Sequence, residues 1–156
     1  MNLVMNEKDK NDMLNTLLTE QESYKVTIWG TIMADAKDYM KWGTASLVIG
    51  SGAAAIGGAL SNAYCYIGIT NKHLNFVVVE SFDVTKEKQK FSISLAEISK
   101  VKLKNGFVPG RKVICLYNGN KKIKLALMSH AMGSKLEGQA EGVKIICESL
   151  MNFYKE

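Results

Sequence analysis

The sequence predicts a mostly β fold with some α: seven antiparallel strands curled into a partly open barrel, capped by a C-terminal amphipathic helix and preceded by a short N-terminal helix. Three observations carry this reading. Apolar residues recur at period two through residues 63–127, the alternation of a half-buried strand. The connections between those runs are a few residues long, too short for the crossover of a dozen or more that a parallel neighbour needs. After residue 134 the apolar period lengthens to that of a helix.

Residues 6–20 (NEKDKNDMLNTLLTE) form the first helix, with Asn6 as its cap, Asp9 in the positive first turn, and Met13, Leu14, Leu17 and Leu18 as its apolar stripe. In the first strand Tyr24, Val26, Ile28 and Ile32 alternate with Lys25, Thr27 and Thr31. AYCYIGIT then leads through an Asn71-Lys72 turn into HLNFVVVESF. DVTKEK is a polar turn before KFSISL, where Phe91, Ile93 and Leu95 share one face. In KVKLK, Val101 and Leu103 face inward and Lys100, Lys102 and Lys104 outward. RKVICLY and KKIKLAL flank Asn118-Gly119-Asn120, a strong hairpin signal. At the C-terminus SKLE (134–137) has capping-box spacing, with Ser134 and Glu137 satisfying each other's backbone donors. Leu136, Ala140, Val143, Cys147, Leu150 and Tyr154 line the buried side of that helix. The organisation expected is a helical extension over residues 1–22 and a single domain over 23–156, with a Gly/Ala-rich insertion at about 43–62.

The net charge of +5 is unevenly placed. Residues 84–124 hold ten lysines and Arg111 against Glu87 and Glu97, or +9, while the blocks on either side are slightly acidic. If Val101, Leu103, Ile123 and Leu125 point inward, Lys100, Lys102, Lys104, Lys122 and Lys124 share the outer surface of adjoining strands, with Arg111 and Lys112 at a neighbouring strand start. Such a surface attracts anionic lipid headgroups or a protein partner. Nucleic acid is not expected, because Phe107 and Tyr117 are too few stacking aromatics to interleave with these lysines. Alternatively, the lysines are a solvated face that protects the sheet edge.

Seven antiparallel strands and a final amphipathic helix resemble the pleckstrin-homology (PH) superfold. Locally the text is similar to bacterial PH-like and GRAM-like proteins, in YIGITNKHLNFV (66–77), ISLAEISKVKLKNG (93–106) and GNKKIKLAL (119–127). The resemblance spans roughly residues 63–154 and implies a binding or scaffold domain that engages lipids, peptides or its own copies. It departs from the PH pattern between the first two strands, where about 28 residues stand in place of a modest loop. Basic residues near that loop are Lys25, Lys37 and Lys41, which argues against a specific inositol-phosphate grip there.

That insertion, GTASLVIGSGAAAIGGALSNA (43–63), holds five glycines, six alanines and five large aliphatic residues. Gly50-Ser51-Gly52 followed by Ala55 imitates a dinucleotide fingerprint. That motif needs a βαβ unit and an acid ~20 residues further on, whereas position 75 is Asn75 in a run of hairpins. The segment is too poor in Leu, Ile, Phe and Val for a spanning helix. It fits close packing on the domain, on a second copy in a homo-oligomer, or on a membrane. Lys41, Trp42, Gly50, Gly52, Gly57 and Gly58 are its candidate membrane or partner contacts, with Trp42 as an interfacial anchor.

No enzyme is expected. His73 and His130 have no sequence-adjacent acid or nucleophile partner that suggests a triad or a metal pair, and HExxH, GxSxG and P-loop motifs are absent from the sequence. Neither metal nor cofactor is implied. Cys65, Cys115 and Cys147 lie far apart in apolar runs without CxxC spacing, as buried reduced thiols would. With charged residues where an apolar signal core would begin, the expectation is a cytoplasmic protein, with a peripheral place on the inner face of the membrane as an extension of it.

Overall fold

The computed structural model describes residues 4–33, 47–49, 61–80, 83–105, 110–119, 121–129, 136 and 138–153. Within them, α1 (Glu7–Asn15) precedes an antiparallel sheet of β1 (Val26–Met33), β2 (Leu47–Ile49), β3 (Ser61–Ile69), β4 (His73–Val79), β5 (Glu87–Ser94), β6 (Lys100–Asn105), β7 (Arg111–Asn118) and β8 (Lys121–Met128), and α2 (Gln139–Phe153) ends it. The strand order is β2-β5-β4-β3-β1-β8-β7-β6. All seven expected strands are present. The additional one, β2, lies inside the Gly/Ala-rich segment and pairs with β5 through Val48 opposite Phe91. Lys41, Trp42, Gly50, Gly52, Gly57 and Gly58 lie outside the described residues.

Alternation dictates the core. Ile28 and Ile32 of β1, Cys65, Ile67 and Ile69 of β3, Leu74, Phe76 and Val78 of β4, and Phe91 and Ile93 of β5 point to one face. There they meet Ile114, Leu116, Ile123, Leu125 and Leu127, and α2 closes the cluster with Val143, Ile146, Cys147 and Leu150. Gly142 lets the helix approach: a Cβ there would fall 2.5 Å from Ile28 Cγ2. All three cysteines are buried and unpaired, and burial pushes the Cys65 thiol up.

The opposite face of β1, β3 and β4 is also covered. Leu14 and Leu17 pack on Trp29, Tyr66, Val77 and Val79, which explains the unbroken apolar run of β4. The Asn6 cap is present, its side chain accepting from the Asp9 amide at 2.8 Å. α1 is shorter than the 6–20 expected, because the Leu17 amide turns back to the Leu14 carbonyl at 3.0 Å and tightens the last turn. Tyr24, expected on the inner face, precedes β1 and lies over Gly68 on the outer one.

α2 also starts later than its SKLE signal. Gly138 has φ +66°, a left-handed backbone that a right-handed helix cannot run through. Ser134, Glu137 and Tyr154 lie outside the described residues. Ala140, expected to be buried, is exposed, since the buried side is set by Gln139, Gly142, Val143, Ile146 and Leu150.

Gln139 has a specific task. Between β1 and β8 the recorded register is Thr31 opposite Ala126 and Ile32 opposite Leu125. Where that ladder ends, the Gln139 amide takes over. Its Oε1 accepts from the Trp29 N–H at 3.1 Å, and its Nε2 donates to the Trp29 and Met128 carbonyls at 3.0 and 2.8 Å. Gln139→Leu leaves these buried groups without partners, so a loss of about 2–4 kcal/mol is expected. An unfolding free energy from urea titration within ~0.5 kcal/mol of wild type would show that the bridge is dispensable.

Candidate functional site

Directly opposed residues in a sheet share a face, so the register fixes where the basic side chains stand. Lys100 lies opposite Tyr117 and Tyr117 opposite Lys122; Lys102 lies opposite Cys115 and Cys115 opposite Lys124. Lys104, Val113 and Ala126 form the next row. Because Ile114, Leu116, Ile123 and Leu125 face the core, these alternate residues occupy the outer surface. The five lysines therefore share one face as expected, but not on adjoining strands. β7 separates them into two rows roughly 10 Å apart, with about 7 Å between lysines along each strand.

Between the rows runs a lane of uncharged side chains. On β7, Cys115 is buried and Val113 and Tyr117 half-buried, while the buried Ala126 continues the β8 row. The ammonium groups of Lys100 and Lys102 stand 5.9 and 5.7 Å from the Tyr117 ring centroid, within cation–π reach. Lys100, Lys102, Lys104 and Lys122 are exposed and Lys124 half-buried. Among the described residues none of the five pairs with a carboxylate; the ion pairs are Lys8–Asp12, Lys10–Glu7, Lys90–Glu87 and His73–Glu22, all elsewhere.

The other expected bases behave differently. Arg111, opposite Met128, also faces outward, but its guanidinium lies back over the sheet with Nη2 3.4 Å from Met33 Sδ. Its Nε is buried and unpartnered among the described residues. Lys112 does not join the surface. It opposes Asn105 and Leu127, bonds the Asn105 side chain, and lies near enough to Cys147 to oppose the rise that burial gives that thiol. Successive strand residues must point to opposite faces, so Arg111 and Lys112 could not serve one surface. Leu103 is on the inward side by register, yet 36% exposed because β6 ends the sheet.

A second polar cluster escaped the sequence reading. His73 Nδ1 lies 2.9 Å from Glu22 Oε2, although 51 residues separate them. The Thr70 hydroxyl donates to the same carboxylate at 2.5 Å and accepts from the Lys72 and His73 amides at 3.1 and 2.9 Å. An acid, an imidazole and a hydroxyl together suggest a nucleophilic triad, but the connectivity is wrong. The hydroxyl donates to the acid rather than to the imidazole, and Thr70 is fully buried. The cluster fastens the segment after α1 to the β3–β4 turn. His130 and Phe107 lie outside the described residues, which contain no group of three or more His, Cys, Asp or Glu side chains suited to a metal.

No family model and no curated protein matches the chain. Among solved structures, the hSac2 domain from human phosphoinositide phosphatase Sac2 superposes with a TM-score of 0.51 at 12% identity, over 91% of this chain and 76% of that one. The Vps36 N-terminal PH domain gives 0.46 at 14% identity, over 90% and 87%. The antiparallel sheet order and the closing C-terminal helix are themselves consistent with a PH-like fold. In this PH-like fold the long strands on either side of the β1–β8 junction make two lobes, and the lysine face belongs to the lobe that α1 leaves uncovered.

Burial alone would raise the Glu22 pKa, but hydrogen bonds from His73, Thr19 and Thr70, with the His73 charge, outweigh it and bring the carboxyl to about 2. A depressed folded-state pKa contributes stability that is complete above the ordinary value and lost as pH falls through the folded one. The fastening should thus weaken between pH 4.5 and about 2. Urea midpoints measured across that window should fall more steeply for wild type than for Glu22→Gln; equal slopes would refute the assignment.

Proposed function

We propose that this chain is a non-catalytic recognition module that meets an anionic membrane surface with the outer face of β6, β7 and β8. The observation that carries the reading is the row pattern itself: Lys100, Lys102 and Lys104 on one strand, Lys122 and Lys124 two strands away, all without carboxylate partners among the described residues. Neighbouring lysines about 7 Å apart repel by roughly 0.6 kcal/mol per pair in unscreened water. A layer of phosphate or carboxylate headgroups relieves that repulsion. Each basic residue at a membrane surface contributes about 1 kcal/mol, so five give reversible binding rather than permanent anchorage.

The described residues include no helix long and apolar enough to cross a membrane, in keeping with a peripheral mode of attachment. The lane on β7 presents no large exposed apolar side chain, as the exposed ones among the described residues are Val4, Tyr64 and Leu103. Charge therefore dominates on this face; Trp42, outside the described residues, enters the proposal from the sequence alone as an apolar anchor.

The full chain should co-sediment with vesicles rich in phosphatidylserine at low salt and leave them as salt rises. Lys102→Ala with Lys122→Ala should weaken partitioning about 30-fold, the equivalent of two basic residues. Lys86→Ala with Lys88→Ala removes the same charge from exposed positions off this face and should cost less than about 3-fold. Equal losses in the two pairs, or no vesicle binding by wild type at low salt, would refute the assignment of this face.

A further inference from the structure

We propose that β6 is the docking edge for a partner strand that alternates acidic and apolar residues. The strand order ends at β6, which pairs with β7 and with no other described strand. At the opposite end of the sheet β5 is covered by β2. An edge strand presents a row of unpaired N–H and C=O groups to the solvent, and a further strand can add there through main-chain hydrogen bonds. Five of the six residues of β6 are exposed, and Val101 is half-buried.

The side chains specify which strand fits. A strand added beside β6 sets each residue about 5 Å from its opposite number on the same face. On the outer face it meets Lys100, Lys102 and Lys104, so every second residue should be Asp or Glu. On the inner face it meets Val101, which packs on the core, and Leu103, which is 36% exposed. There the partner's residues should be apolar. Leu103 is the sharper observation. It lies on the core side by register, yet nothing covers it fully.

The same chemistry excludes a second copy of this edge. Two β6 strands side by side would oppose lysine to lysine, and like charges directly across a sheet are destabilising. Lysine on an edge discourages indiscriminate pairing while leaving an acidic strand as the complementary occupant. This inference stands apart from membrane binding but shares three of its lysines, so a seated acidic strand and an anionic vesicle should compete for the protein.

A fluorescent peptide Glu-Val-Glu-Val-Glu-Val-Glu titrated with the full chain at low salt tests the proposal by anisotropy. Two comparison peptides keep the charge: one with its central valine replaced by proline, which removes a backbone donor, and one with the four glutamates and three valines in separate blocks. The alternating peptide should bind at least tenfold more tightly than either and should slow amide exchange across residues 100–105. Lys102→Glu should weaken it at least tenfold. Equal affinity for the three peptides, no binding, or binding without slowed exchange in β6 would each overturn the proposal. Vesicle partitioning of the same protein without peptide reports on the membrane reading separately, so either can fail while the other stands.

Discussion

At the junction of β1 and β8 the recorded ladder is two residue pairs long, and a side chain does the work of backbone. Past Ile32–Leu125 and Thr31–Ala126 the ladder stops, and two positions further on the Gln139 amide supplies a donor and an acceptor between Trp29 and Met128. A primary amide can satisfy the N–H and C=O of Trp29 together while donating to a carbonyl on the other strand. Because Gln139 is also the first residue of α2, the bond that joins the lobes fixes where the closing helix begins. Three residues on, Gly142 removes the side chain that would strike Ile28. The helix then lies against β1, and Val143, Ile146 and Leu150 drop into the core. Orientation of the β6–β8 lobe, and so of every lysine on it, depends on this seat.

The two outer surfaces of the sheet have opposite fates. Over β1, β3 and β4, α1 lays down an apolar stripe, and a polar chain runs beneath its end. Tyr24 donates to the Leu14 carbonyl and accepts from Asn75 Nδ2 at 3.0 Å, and Ser92 donates to Asn75. Lys10, almost fully buried, turns its ammonium to the Thr27 carbonyl at 3.0 Å and to Glu7 at 2.9 Å. Charges on this side are thus paired as burial demands. On the β6–β8 side five lysines have no such partners among the described residues. Within one sheet, one surface is made into interior and the other is left as a field.

Much of this was legible because strands write their faces into the sequence. Phe91 and Ile93, or Ile123, Leu125 and Leu127, alternate so cleanly that their burial follows from period two, and Asn118-Gly119 marks its hairpin, with Gly119 at φ +65°. What failed to show had physical reasons. Leu47–Ile49 is three residues long and sits in an apolar stretch, where no alternation can distinguish a strand. Glu22 and His73 meet only through the β3–β4 turn. Lys10 belongs to the buried stripe of α1 because its partners, Thr27 and Glu7, satisfy it there, and a binary apolar pattern cannot anticipate that. The lysine rows were visible as a shared face, but their separation by β7 needed the strand order.

That separation has a consequence for what the face can recognise. Had the five lysines stood on adjoining strands, facing ammonium groups would be about 5 Å apart, and mutual repulsion would favour their splaying or losing protons. With Cys115, Val113 and Tyr117 between them, the two rows are held about two strand spacings apart, beyond the Debye length of about 8 Å at physiological salt. Each row is then an independent line of charge with a repeat of about 7 Å, and Tyr117 draws Lys100 and Lys102 over its ring. A single compact anion would engage one row at a time. An extended anionic surface spans both, and an extended strand, whose same-side residues recur at that very repeat, matches the β6 row. The sheet's own geometry therefore sets the spacing of the ligands it can take.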